Sequence, residues 1–168
     1  MASQSDRLQL ERRLQTHRRE WKVQHVGWIA GIAILAAALA GLLGAGPLSA
    51  SEAASADGDV KVAYDRFVHY NNQVVLRVTL NALPGTTEPI ALKLPQAYLD
   101  RTRLHRIHPE PLRSLLTGDG TVFEFERVSG TNQAAVDFHL EFCKVGSAPG
   151  SVELVGHESV AFTQFVYP

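Results

Sequence analysis

"AAVDFHLEFCKV", from Ala134 to Val145, decides the fold. Apolar and polar side chains alternate along it, which is the period of a strand with one face buried. Val136, Phe138, Leu140 and Phe142 point one way, predicting a core-facing row. Asp137, His139, Glu141 and Cys143 point the other way.

The same rhythm continues on both sides. "QVVLRVTLN" (Gln73 to Asn81) sets Val74, Leu76, Val78 and Leu80 on one face, and Asn71 and Asn72 before it suit a turn. "VKVAY" (Val60 to Tyr64) alternates as well. "PIALKLP" gathers Ile90, Leu92 and Leu94, with a proline at each end to limit the strand. After the turn signal "TGDG" (Thr117 to Gly120), "TVFEFERV" buries its Phe123 and Phe125 face. "SVELVG" and "SVAFTQFVYP" read as a hairpin around Gly156. Only "PQAYLDRTRLHR" (Pro95 to Arg106) reads as a short helical or irregular excursion. Seven or so short strands separated by turns predict a mainly β domain over residues 60–168, a small antiparallel Ig-like β-sandwich with a single core. It contains neither a tryptophan nor a cysteine pair, so only the general architecture of that class is expected.

Upstream the character changes. Between Lys22 and Glu52 there is no Lys, Arg, Asp or Glu, and Ala, Leu, Ile and Gly dominate from Val26 to Ala45. A bilayer core of about 30 Å needs about 20 helical residues. Residues 23–46 therefore read as one transmembrane helix, closed by Pro47. A secretory signal has a shorter apolar stretch, of about 7 to 15 residues. The small-residue site "ASA" (Ala54 to Ala56) lies well beyond the end of this one, which favours a retained signal-anchor over cleavage near Ala56.

Residues 1–22 hold six bases (Arg7, Arg12, Arg13, Arg18, Arg19, Lys22) against Asp6, Glu11 and Glu20, whereas the first base after the span is Lys61. Basic flanks stay in the cytosol. The expected layout is a basic cytosolic tail (1–22), the span (23–46), a flexible linker (47–59) and a periplasmic β-sandwich (60–168) in a bacterial inner membrane. Leu10, Leu14, His17 and Trp21 share one face of a helical tail. The exported part is mildly acidic, which gives no reason to expect nucleic-acid binding, since that rests on concentrated positive charge. Within the span, Gly27 and Gly31 form one small-residue step and Ala33, Ala37, Gly41 and Ala45 another. Such spacing lets helices approach closely in lipid, as a self-dimer or against a larger membrane protein.

Chemical signals are sparse. Cys143 is the only cysteine, so no disulfide forms within the chain. The candidate metal ligands are His105, His108, His139 and Cys143. "HRIHPE" would place His105 and His108 on one face of a helix, but Pro109 draws His108 toward extended geometry, where residues three apart diverge. His139 and Cys143 share a strand face at about 13 Å, too far for one ion. There is no G-x-S-x-G, and the serines of "VSGT" and "GSAPGS" lie in expected loops. No cofactor and no enzyme activity are expected.

The order of basic tail, Ala-rich span, "GPLSA", "YDRFVHY" with "LRVTL", "HPEP" and a terminal "FTQFVYP" resembles a group of uncharacterised bacterial single-span membrane proteins. They share a basic cytosolic tail, a periplasmic β domain and a QFVYP-type ending. The resemblance implies that layout and brings no activity with it. The expectation is a single-pass interaction or accessory subunit whose periplasmic domain binds or stabilises a membrane partner. The alternative is a periplasmic metallochaperone or assembly factor using histidines that meet only in three dimensions.

Overall fold

The computed structural model describes residues 21, 23–36, 38–39, 49–81, 89–127 and 133–168. The chain divides into two compact units, Met1–Ala40 and Gly41–Pro168.

In the first unit the described residues between 21 and 39 form a helix, α1. Trp21, Val23, Val26, Trp28, Ile29, Ile32, Ile34, Leu35 and Leu39 are each exposed by 61% or more. At about 100° per residue they surround most of the helix, and Gln24, Gly27, Gly31 and Ala38 share the remaining face. Among the described residues no helix is long and apolar enough to cross a membrane. Residues 37 and 40–46 of the expected span, and the expected helical tail before Trp21, lie outside them.

The second unit is mainly β. Its described strands are β1 (Ala50–Ala54), β2 (Val60–Asp65), β3 (Phe67–His69), β4 (Gln73–Leu80), β5 (Ile90–Pro95), β6 (Thr102–His108), β7 (Arg113–Leu116), β8 (Gly120–Phe125), β9 (Ala134–Phe142), β10 (Gly146–Leu154) and β11 (Ser159–Tyr167). They build a five-stranded sheet, β1-β2-β4-β9-β6, and a six-stranded sheet, β3-β11-β10-β5-β8-β7. Every pairing is antiparallel except that of β3 with β11. The inward rows of β4, β5, β8 and β9 are the alternating sets read from the sequence, and all are buried. Their rings interlock across the core: Phe138 meets Phe123 and Phe125 nearly edge-on, at centroid distances of 5.6 and 6.4 Å.

Several expectations are corrected. The linker at 47–59 is not wholly a linker, because Ala50–Ala54 pairs along β2 and Ser49 is fully buried. Its alternation is hidden because its inward side chains are small. Arg66 alone separates β2 from β3, so the chain steps from one sheet to the other there. "GSAPGS" is not a loop but the first six residues of β10. Pro149 is tolerated because, among the described residues, β11 alone borders that stretch; β5 joins only at Glu153 and Leu154. Gly150 is needed there, since a Cβ would stand 2.7 Å from the Phe162 ring and 2.8 Å from that of Tyr98.

The excursion at Pro95–Arg106 resolves into a single turn, α2 (Gln96–Leu99), followed by β6. Tyr98 drops from α2 into the core, edge-on to Phe142 and Phe162. Its hydroxyl donates to Gln164 Oε1 at 2.7 Å, and Gln164 Nε2 donates to the Asp65 carbonyl at 2.9 Å. Burial raises the Tyr98 pKa and keeps the phenol protonated as that donor.

Candidate functional site

The outward side chains of the five-stranded sheet form a grid set by strand register. Across one row lie Glu52, Ala63, Arg77, Asp137 and His108. The next carries Val75, His139 and Arg106, and the third Gln73, Glu141 and Arg103. β9 contributes to every row, between β4 and β6, because Asp137, His139 and Glu141 occupy the outer half of its alternation.

The β9 carboxylates on this face are held by cations. Arg77 grips Asp137 with two bonds, Nε to Oδ1 at 2.7 Å and a second guanidinium nitrogen to Oδ2 at 2.8 Å. That grip holds the Asp137 carboxyl below its usual range, and the neighbouring His139 and His108 act in the same direction. Glu141 accepts from Arg103 at 3.1 Å and lies 2.7 Å from His105 Nε2. These partners cover it, leaving the residue 8% exposed. A trough of about 680 Å³ crosses the face, lined by Ala63, Val75, Arg77, Asp137 and His139 together with residues of β1.

Three of the four proposed ligands thus reach one face, by a route the sequence reading did not foresee. His105 and His108 were expected to diverge on an unbroken strand. Instead the register slips between Leu104 and Arg106, a bulge that makes His105 an extra residue. Leu104 and Ile107 both pack against the core although they are three apart. That odd spacing in "RLHRI" was the available signal. His105 then pairs with Glu141, while His108 stands two rows away opposite Asp137. β9 ends at Phe142, one residue before Cys143. The Cys143 amide donates to the Arg101 carbonyl at 2.9 Å. Among the described residues no three His, Cys, Asp or Glu groups stand close enough to hold a metal ion.

The second feature is the side where β6 and β7 end their sheets. β7 went unrecognised because four residues, "RSLL", give too short a pattern. All four are exposed, and Leu115 and Leu116 are 44% and 78% exposed. Among the described residues β7 pairs with β8 on one side only. Thr117 N–H donates to Gly120 O at 2.8 Å across the turn. Antiparallel alternation from that bond turns the backbone groups of Ser114 and Leu116 away from β8. A groove of about 560 Å³ runs along β6, lined by His105, Arg106, Ile107, His108, Glu110 and Pro111 with Leu104. The Arg106 side chain makes no ion pair or hydrogen bond among the described residues, whereas the outward carboxylates of β9 are already taken by Arg77, Arg103 and His105.

No protein-family model matches the chain, and no curated protein matches its sequence.

Proposed function

We propose that this chain is a non-enzymatic interaction subunit. Residues 23–46 anchor it once in a bacterial inner membrane, with the N-terminus cytosolic and the β domain outside, where it binds or stabilises an integral membrane partner. The observation that carries the reading is β7, an edge strand whose side chains are all exposed and whose outer backbone side has no strand partner among the described residues. Such an edge is a ready template for adding a strand from another chain.

Two further observations support the anchor. Large apolar side chains on nearly all sides of α1 suit lipid better than water. Cleavage after Ala56 would also remove β1 and the buried Ser49, stripping the edge of the five-stranded sheet. Gly27 and Gly31 have nothing within 4 Å of where a Cβ would lie, leaving that side of the helix open to a second helix.

Native mass spectrometry of the protein taken from its own membrane in mild detergent tests this. The expected result is the intact 18.4 kDa chain carrying a second membrane protein, lost when Leu115 and Leu116 are changed to Ser. A shorter chain beginning near Ala56, without companions, would overturn the proposal.

A further inference from the structure

The groove along β6 has a charge character that β7 lacks. Between Arg101 and His108 the chain places five basic or imidazole side chains, Arg101, Arg103, His105, Arg106 and His108, with no acidic residue among them. The outward carboxylates that could answer them belong to β9, and both are engaged: Asp137 by Arg77, Glu141 by Arg103 and His105. Arg101 is turned elsewhere, donating to the Val145 carbonyl at 2.9 Å. The Arg106 cation and the His108 imidazole are left facing the groove, and among the described residues that line it Glu110 is the one acidic group.

β6 also ends the five-stranded sheet, and past the bulge it pairs regularly with β9 through Arg106, Ile107 and His108. The opposite backbone side of those residues has no strand partner among the described residues. A bulge and cations at an edge discourage uninvited neutral strands. The same features select a strand that brings negative charge, because an unanswered cation disfavours every other comer.

From these observations we infer that the β6 groove receives an extended acidic segment of the partner protein. Its backbone continues the sheet and its carboxylates meet Arg106 and His108. This rests on the proposed interaction role and names the chemistry of the segment. An anionic headgroup could answer the charge, but it has no row of backbone groups to pair with the strand edge, so the peptide is the better fit.

The test uses the full chain in neutral detergent and a labelled ten-residue peptide of alternating Glu and Val, with a Lys-Val peptide and phosphatidylglycerol vesicles as competitors. The Glu-Val peptide is expected to bind, and binding should weaken at least ten-fold in Arg106→Glu and in the milder Arg106→Ser. Hydrogen exchange at Ile107, whose amide faces away from β9 by the alternation of the pairing, should slow when it is bound, while that at His108, opposite Asp137, should not. Arg106→Glu should gain affinity for the Lys-Val peptide, which a merely misfolded variant would not. Binding unaffected by either substitution would overturn the location. Failure of the peptide alongside Arg106-dependent binding of the vesicles would overturn it in favour of lipid. If neither binds while the native companion still copurifies, this inference fails and the interaction role stands.

Discussion

The two sides of the β domain are closed in opposite ways. At the β1 and β3 side, Ser49 is fully buried: its Oγ donates to the Phe67 carbonyl at 3.1 Å and accepts from the Phe67 amide at 3.2 Å, while its carbonyl accepts from the Arg66 amide at 2.7 Å. Gln164, 1% exposed, ties β11 to the Asp65 carbonyl and to Tyr98. At the β6 and β7 side no such clasp exists among the described residues, and Leu116 is 78% exposed. A serine and a glutamine are inside while a leucine is outside. Polar groups can be buried where every bond is satisfied, and an apolar row left at an open edge marks a surface suited to contact.

Removing the clasp should break this contrast most strongly. Gln164→Leu leaves both the Tyr98 hydroxyl and the Asp65 carbonyl unpaired, at about 1–3 kcal/mol for each stranded group. Thermal or urea unfolding should show the loss, and Tyr98→Phe, which strands only the glutamine oxygen, should lose less. A fall no larger than that of a surface substitution would show that this side is not held by the network.

Ser49→Ala comes next, costing about 1–3 kcal/mol in total. Its signature is local: amide exchange should quicken at Phe67 and stay unchanged at Leu115. Equal acceleration at both would mean that the two sides open together.

The open side should respond the other way. Changing Leu115 and Leu116 together to Ser should alter stability by no more than about 0.5 kcal/mol, yet abolish recovery of the membrane companion. Loss of folding instead would show that the leucines belong to the core.

The smallest effect is expected on the outer face. Asp137 has its pKa depressed in the folded protein, chiefly by the Arg77 bonds. Its stabilising effect is therefore present above the unfolded carboxyl value, about 3.9, and is lost as pH falls through the lower folded value. In Arg77→Met the folded pKa rises, so the acid-unfolding midpoint should move to higher pH. A circular-dichroism acid titration of both proteins reads the shift, and an unmoved midpoint would remove Asp137 from the account.

Legibility followed side-chain size and strand length. β4, β5, β8 and β9 were plain because large apolar residues alternate within strands of six or more residues. β1 was missed because Ala and Ser carry almost no hydropathy contrast. β3 and β7 were too short to establish a period, and Pro149 with Gly150 made the first six residues of β10 look like a loop. Of the outer face, Asp137, His139 and Glu141 were legible as one row of β9. Their partners were not: Arg77 lies sixty residues from Asp137, and His105 reaches Glu141 only through the bulge.

The sequence by itself therefore determined the alternation, which separates core from surface within each strand because successive side chains point to opposite faces. It also determined the sharp change from a charge-free apolar stretch to a β rhythm. Which strands become neighbours, which side of the sandwich is clasped, and which carboxylate meets which cation were decided only in the tertiary structure. Those outcomes depend on register between distant segments, and a shift of a single residue reverses every face.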